Sequence, residues 1–484
     1  MAKIQLEKID EVFFRLRTEG YIHQELSDYF KFRQEGFQFT PSYKNRLWDG
    51  YVRLYNMMDC TLPIGLLNYL KQFCKERDYT LDYESDSSIE VNLDKFNEFI
   101  DNLKLPFELR DYQIKGIKHV IENNRTLLLS PTGSGKSATI YTLTRWFNTK
   151  TLIIVPTLSL IHQMKSDFSD YAVNDKTFNT DREIHLVYGG QDKNTNKNII
   201  VGTWQSLYKL PKVWFEQFDV IICDEAHLGK SASITSILKK TSNTKIKIGT
   251  TGTLDGTKVN QLILEGYLGP VFSVISTKEL IDNNFLAKLS IHCICLKYPE
   301  YECKLMKETT YDEEVKYIIK HERRNRFITN LTKTLNDTTL ILFEFVDDHG
   351  KILHSMIEKS IKNRNVYFVY GGTPSEEREE IRKKVENERG SIIVASVKVF
   401  STGVNIKNLD NIIFVSPTKS RIRSLQSIGR VLRIGDYSNK ANLYDIVDDF
   451  SYKNRKNYAL KHFLERAKVY DSEKFDYKIH KVVF

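Results

Sequence analysis

Residues suited to holding and cleaving a phosphate chain stand out first. The run Ser130-Pro131-Thr132-Gly133-Ser134-Gly135-Lys136-Ser137 follows the apolar stretch Thr126–Leu129 and opens a helix-forming stretch at Ala138. Strand, glycine-bearing loop and helix are the setting that a phosphate-binding loop requires. Gly133 and Gly135 let the backbone turn its N–H groups toward the phosphates, and the helix adds its positive end. Thr132 and Ser134 complete the cradle. Lys136 would neutralise the β- and γ-phosphates of ATP, and the Ser137 hydroxyl would ligate Mg²⁺. A Gly/Ser turn with a chance lysine is the bland alternative, and the flanking strand and helix weigh against it. Ser130 stands where the general pattern has its first glycine.

A second cluster is Val220-Ile221-Ile222-Cys223-Asp224-Glu225-Ala226-His227. Two carboxylates end a fully apolar run, where a buried parallel strand would carry them to the carboxyl edge of its sheet. They make no structural sense there without a cation or hydrogen-bond partners. Asp224 would hold Mg²⁺, and Glu225 would orient and deprotonate the attacking water. His227 would couple the nucleotide to neighbouring motifs. A third cluster, Gln426-Ser427-Ile428-Gly429-Arg430-Val431-Leu432-Arg433, places two arginines three apart on one helix face. Arg433 is the candidate arginine finger for the γ-phosphate, and Arg430 a second phosphate contact. A solvated basic helix is the default for such a pair, but a phosphate loop elsewhere in the chain supplies something for them to meet.

These groups need a rigid scaffold. From about Arg110 onward, β-branched runs alternate with amphipathic stretches: Thr126–Leu129, Leu152–Val155, Ile199–Val201, Val220–Cys223 and Lys247–Thr250. The pattern resumes at Thr339–Phe343, Asn365–Val369, Ser391–Ala395 and Asn411–Val415. Such alternation predicts βαβ units and parallel sheets covered by helices. The stretch between, Val271 to Leu335, reads partly as helix, with a strand at Ser290–Leu296. The first hundred residues differ: Phe37–Thr40 and Gly50–Tyr55 alternate as half-buried antiparallel strands do. Glu84–Ser88 reads as a loop, and Pro106 as a domain boundary. The division expected is 1–105, a small α+β N-terminal domain; 106–280, a first α/β lobe that binds ATP; and 281–484, a second lobe with a connector and a helical C-terminal extension.

The chain has 484 residues, too many for one core. No apolar run is long enough to cross a bilayer and none resembles a cleaved leader, so a cytoplasmic protein is expected. A formal net charge of +9 favours polyanionic partners, weakly. The six cysteines include no Cys-x-x-Cys pair, and small buried apolar groups are expected rather than a zinc site. In the N-terminal region, Tyr29, Phe30, Lys31, Phe32, Arg33, Tyr43, Lys44, Arg46, Trp48 and Arg53 interleave aromatics with base. Stacking on nucleic acid and packing in a small core are both open there.

The three clusters, in this order, resemble the superfamily 2 helicases of the DEAH-box-like type, from about Leu109 to Asp449. The resemblance implies two RecA-like lobes. It also implies that Arg110-Asp111-Tyr112-Gln113 contacts adenine, with Arg110 and Gln113 in the pocket. Pro156 and Thr157, then Thr203 and Gln205, would grip a nucleic-acid strand. Thr251 and Thr253 would couple hydrolysis to movement, with His227 and Gln426. Thr402 and Gly403, in Phe400-Ser401-Thr402-Gly403-Val404-Asn405, would contact nucleic acid and nucleotide. Two departures are visible. Ser427 stands where many relatives carry arginine, and Thr251-Gly252-Thr253 replaces the usual Ser-Ala-Thr.

Asn45-Arg46-Leu47-Trp48-Asp49-Gly50, Leu62-Pro63-Ile64-Gly65-Leu66 and Gly202-Thr203-Trp204-Gln205 carry a narrower likeness, to the recombination helicases of T-even-like bacteriophages. It implies ATP-dependent 3′ to 5′ movement on branched or partly single-stranded DNA. Forks, Holliday junctions and R-loops, with their RNA–DNA hybrids, are the substrates implied, in recombination-dependent replication and repair. A phage protein would act in the host cytoplasm. An RNA helicase or the double-stranded DNA motor of a restriction system would share the motifs. A nucleotide-controlled scaffold would not need Asp224, Glu225 and Arg433 together.

Overall fold

A computed structural model describes residues 2–84, 91–227, 232–254, 257–402, 406, 409–417 and 440–484. Two compact units divide the chain: Met1–Ser130 with Ser134–Ile275, and Ser276–Phe484 with Pro131–Gly133.

The first unit begins with a small mixed sheet of β1 (Lys3–Lys8), β2 (Phe13–Arg17), β5 (Thr61–Pro63) and β6 (Thr80–Asp82), in the order β5-β2-β1-β6. A two-stranded ribbon, β3 (Lys31–Arg33) with β4 (Tyr51–Arg53), stands beside it. Phe37–Phe39, expected as a strand, is a short 3₁₀ turn. Gly36 at φ +69° and Pro41 at the start of the next helical turn break the extension that the alternation suggested. This region packs on helix Lys258–Leu268, whose Leu262 joins its core. Tyr69 donates to Glu265 Oε2 at 2.6 Å. Gly65 is needed there, because a Cβ would lie 1.8 Å from the Glu265 carbonyl oxygen.

The main sheet of the first unit has seven parallel strands. They are β7 (Arg125–Leu129), β8 (Thr151–Val155), β9 (Ile184–Val187), β10 (Ile199–Thr203), β11 (Val220–Asp224), β12 (Ile246–Thr251) and β13 (Val271–Ser273). Their order is β13-β7-β12-β11-β8-β10-β9. All five residues of β8 and of β10 are buried, as a sheet covered on both faces demands. Helix Leu93–Asn102 packs on this lobe, with Phe96 and Phe99 against Trp146.

The second unit holds another seven-stranded parallel sheet. Its strands are β14 (Lys288–Lys297), β15 (Thr339–Phe343), β16 (Val366–Val369), β17 (Ile392–Ser396), β18 (Asn411–Phe414), β19 (Lys440–Asp449) and β20 (Tyr477–Val483), in the order β16-β17-β15-β18-β19-β14-β20. The expected fold class is therefore what the chain adopts: α/β, with two RecA-like parallel-sheet lobes and a small α+β N-terminal domain. The strand expected at Ser290–Leu296 is β14, paired with β19 and β20 inside the sheet. The expected terminal helix, Tyr458–Ser472, is followed by β20, a strand that the sequence reading did not contain. Two ion pairs are sealed inside this unit. Arg324 donates to Asp448 at 2.7 and 3.1 Å and to the Val415 carbonyl at 2.7 Å. Arg466 donates to Asp445 at 2.7 and 2.9 Å. No described helix is long and apolar enough to cross a membrane.

Candidate nucleotide and strand sites

β7 delivers its chain to the phosphate loop, which closes on helix Lys136–Phe147. Gly133 and Gly135 carry φ of +86° and +80°, left-handed values that a side chain would strain. Ser130, the departure from the usual glycine, shares a 2.6 Å hydrogen bond with the Ser134 hydroxyl and so braces the loop. Lys136 Nζ lies 3.3 Å from the Ser130 carbonyl oxygen and 3.9 Å from Glu225 Oε1. Ser137 Oγ lies 2.7 Å from the Tyr171 hydroxyl.

Strand β11, separated from β7 by β12, brings Asp224 and Glu225 to the same sheet edge. Asp224 Oδ1 accepts from the Thr250 hydroxyl at 2.7 Å and from the Glu225 N–H at 2.9 Å. Burial, and then the neighbouring Glu225, push the Asp224 carboxyl above its usual range, against the pull of Lys136. Glu225 sits at φ +51°, a left-handed conformation in a non-glycine residue, which costs energy the surroundings must hold. Its Oε2 is 3.3 Å from His227 Nδ1. That nitrogen is also 2.9 Å from Thr251 Oγ1, whose own proton goes to the Thr253 carbonyl at 2.8 Å. With its own proton on the Thr253 carbonyl, the Thr251 hydroxyl is placed to accept from His227 Nδ1. His227, Thr251 and Thr253 thus form one chain of contacts starting at Glu225.

Arg110 and Gln113 lie beneath the loop. Gln113 Oε1 accepts the Arg110 N–H at 2.9 Å, and Nε2 donates to the carbonyls of Ser134 at 3.0 Å and Gly135 at 3.3 Å. Gln113 is only 5% exposed, so here it supports the phosphate loop. Arg110 donates to the Tyr112 hydroxyl at 2.7 Å, which donates to the Ser134 carbonyl at 3.0 Å. Tyr112 and Tyr171 were not among the residues singled out in the sequence as site residues. Tyr112 has a local signal, since it adjoins Gln113; Tyr171 has none.

Pro156 and Thr157 leave the end of β8, and Thr203 and Gln205 the end of β10, where Thr203 pairs with Val155. Gln205 Nε2 donates to the Pro156 carbonyl at 3.1 Å, which ties the two loops together. Thr157 caps helix Leu158–Tyr171, accepting from the Leu160 N–H at 3.4 Å. Thr203 is buried and bonds Ser206 at 3.0 Å. In the second unit, Thr402 ends helix Val397–Thr402. Gly403, Gln426, Arg430 and Arg433 lie outside the described residues.

The N-terminal aromatics differ in burial. Phe30 is fully buried core. Arg33 is exposed, with its guanidinium 4.2 Å from the Phe37 ring and 5.6 Å from that of Tyr51. Leu47 and Phe39 are 81% and 73% exposed beside Lys44 and Arg46. Among the described residues no cluster of three or more His, Cys, Asp or Glu is arranged to hold a metal ion.

Three family models cover most of the chain: "DNA helicase UvsW, N-terminal" over residues 3–84, "Type III restriction enzyme, res subunit" over 106–256, and "Helicase conserved C-terminal domain" over 322–435. The ATP-dependent DNA helicase uvsW of Enterobacteria phage T4 is 34% identical over 96% of both chains. The chain belongs to the UvsW family of ATP-dependent DNA helicases. The crystal structure of T4 UvsW matches 99% of both chains, with 32% identity and a TM-score of 0.52. A more distant likeness is to the DNA 3′-5′ translocase XPB2 of Sulfurisphaera tokodaii, 26% identical over 74% of this chain and 87% of its own.

Proposed function

We propose that the chain hydrolyses ATP to translocate 3′ to 5′ on DNA and to unwind and remodel branched DNA. Forks, Holliday junctions and R-loops are its substrates, in recombination-dependent replication and repair within the host cytoplasm. The observation that carries this reading is the site at the edge of β7 and β11, where Lys136 faces Glu225 across 3.9 Å and Asp224 stands half-buried beside it. Two neighbouring carboxylates at a strand end, beside the loop lysine, suit a divalent cation that also meets phosphate oxygens. The Ser137 hydroxyl and the Asp224 carboxylate suit Mg²⁺, which takes few protein oxygens alongside phosphate and water. Bound there, Mg²⁺ would neutralise charge on the β- and γ-phosphates.

The chain's own residues then have distinct tasks. Backbone N–H groups from Thr132 to Ser137 and the Lys136 ammonium hold the phosphates. Glu225 orients and deprotonates water. Its contact with His227 leads through Thr251 to Thr253, a physical route from water to the loop after β12. By the family resemblance, Arg430 and Arg433 serve the γ-phosphate, Gly403 the nucleotide, and Gln426 the coupling of hydrolysis to movement. Arg110 and Gln113 shape the adenine end by fixing the Ser134 and Gly135 carbonyls. Pro156, Thr157, Thr203, Gln205 and Thr402 grip one strand's phosphates, which makes movement nearly indifferent to sequence. The exposed Arg33, Phe39, Lys44, Arg46 and Leu47 of the N-terminal domain meet the branch, cations on phosphates and apolar groups against bases. The direction of travel is supported by the translocase relative, whose name states it.

Strand displacement from labelled forks with 3′ or 5′ single-stranded arms tests this. The wild type should displace strands from the 3′-armed fork, and Glu225→Gln should bind it but lose roughly 10²-fold or more in rate. ATP-driven movement along duplex DNA without displacement would replace unwinding by restriction-type translocation, the reading that the match over 106–256 favours.

A further inference from the structure

We infer that Tyr171 is a positioning residue for the metal ligand Ser137, holding its hydroxyl proton away from the Mg²⁺ site. The inference rests on the reading of Ser137 as a Mg²⁺ ligand. A serine hydroxyl has one proton and two lone pairs and rotates freely unless a partner fixes it. A cation can take only a lone pair, so the proton must find an acceptor on another side. The Tyr171 oxygen, 2.7 Å from Ser137 Oγ, is placed to be that acceptor.

The phenol is itself held in place. Ser137 and Tyr141 are four residues apart on helix Lys136–Phe147 and share a face. Tyr171 lies against both: its hydroxyl reaches Ser137, and its ring stands edge-on to Tyr141 at 5.7 Å. Phe107 closes the other side at 5.3 Å and 83°. Tyr141 is fully buried and also meets Phe168, one turn before Tyr171 on helix Leu158–Tyr171. The helix-to-helix aromatic packing thus fixes the phenol, and the phenol fixes the rotor of Ser137. A phenylalanine at 171 keeps the ring contacts and removes the hydroxyl that faces Ser137.

The test is Mg²⁺ titration of the binding of a fluorescent ADP analogue to the full chain, with melting temperature as a control. For Tyr171→Phe, the Mg²⁺ concentration at half-effect should rise roughly three- to tenfold, the range for one lost neutral hydrogen bond. Mg²⁺-free binding and melting temperature should match the wild type. An unchanged midpoint would overturn the inference, and so would a lower one, which would mean that the phenol competes with the metal. An equal loss with and without Mg²⁺ would also overturn it, as a packing effect. Ser137→Ala separates the two levels: it should abolish the gain from Mg²⁺. If it does not, Ser137 is no metal ligand, whatever Tyr171→Phe shows.

Discussion

In the sheet of the second unit, Arg324 and Arg466 are sealed in the interior, each forked onto an aspartate, and Tyr298 and Tyr470 donate further bonds to those aspartates at 2.8 and 3.0 Å. In the sheet of the first unit, Asp224 and Glu225 stand at a strand end with Lys136 3.9 Å away, and burial raises the Asp224 carboxyl rather than lowering it. Both places hold charge in a parallel α/β lobe. One set is neutralised within the protein and serves the fold. The other stands at a sheet edge beside the loop lysine, where a cation and phosphates are proposed to bind.

The largest expected effect breaks the first half of that contrast. Arg324→Ala leaves the Asp448 carboxylate buried without its cation, and should cost about 3–5 kcal/mol in denaturant unfolding of the second unit. A cost under about 1 kcal/mol would mean that the pair is not structural. Asp224→Asn sharpens the second half. Because the folded-state pKa of Asp224 is raised, its charge opposes folding once pH exceeds the usual carboxylate value. The variant should therefore be as stable as the wild type or more so at pH 7, while ATP hydrolysis falls to background. Marked destabilisation would show Asp224 to be a fold residue like Asp448.

A smaller effect concerns the exception in the first unit. Lys247 is buried at the start of β12, donates to the Glu11 carbonyl at 2.7 Å, and has its amine pushed down to about 6, by burial first and then by Arg125. The folded chain thus carries fewer protons on this group than the unfolded chain between about pH 6 and the ordinary lysine value. Stability should rise with pH across that window, by at most about 1.4 kcal/mol per unit from this one group. Lys247→Met should flatten the rise between pH 7 and pH 9, and an equal slope in both proteins would contradict the assignment. Smallest of all is Glu7→Ala, which removes the exposed partner of Arg17 at 2.6 Å and should change stability by about 0.2–1 kcal/mol.

What was legible in the sequence was contiguous. Ser130 to Ser137 and Val220 to His227 each carry their chemistry, their strand and their turn in one short run, so type and spacing suffice. The strands of both sheets were visible where they are apolar throughout, as in β8 and β15. β20 was not: Tyr-Lys-Ile-His-Lys-Val-Val is largely exposed, and only its pairing with β14 makes it a strand. Phe37–Phe39 mimicked a strand because alternation over a few residues cannot register that its neighbours turn. The contact of Tyr171 with Ser137 spans 34 residues, and that of Lys247 with Glu11 spans 236. Both depend on which helices and strands become neighbours, which no local pattern encodes. Gln113 was identifiable by its motif, yet its place beneath the loop appears only once the loop's carbonyls are in position.

The central claim is that Lys136 and the carboxylates beside it drive a DNA-dependent motor. ATP hydrolysis by the wild type and by Lys136→Ala, each with fork DNA, single-stranded RNA or neither, tests it most directly. The fork should strongly stimulate the wild type, and the variant should stay near background in all three conditions. Stimulation by RNA alone would contradict the DNA assignment, and normal hydrolysis by Lys136→Ala would contradict the phosphate site itself.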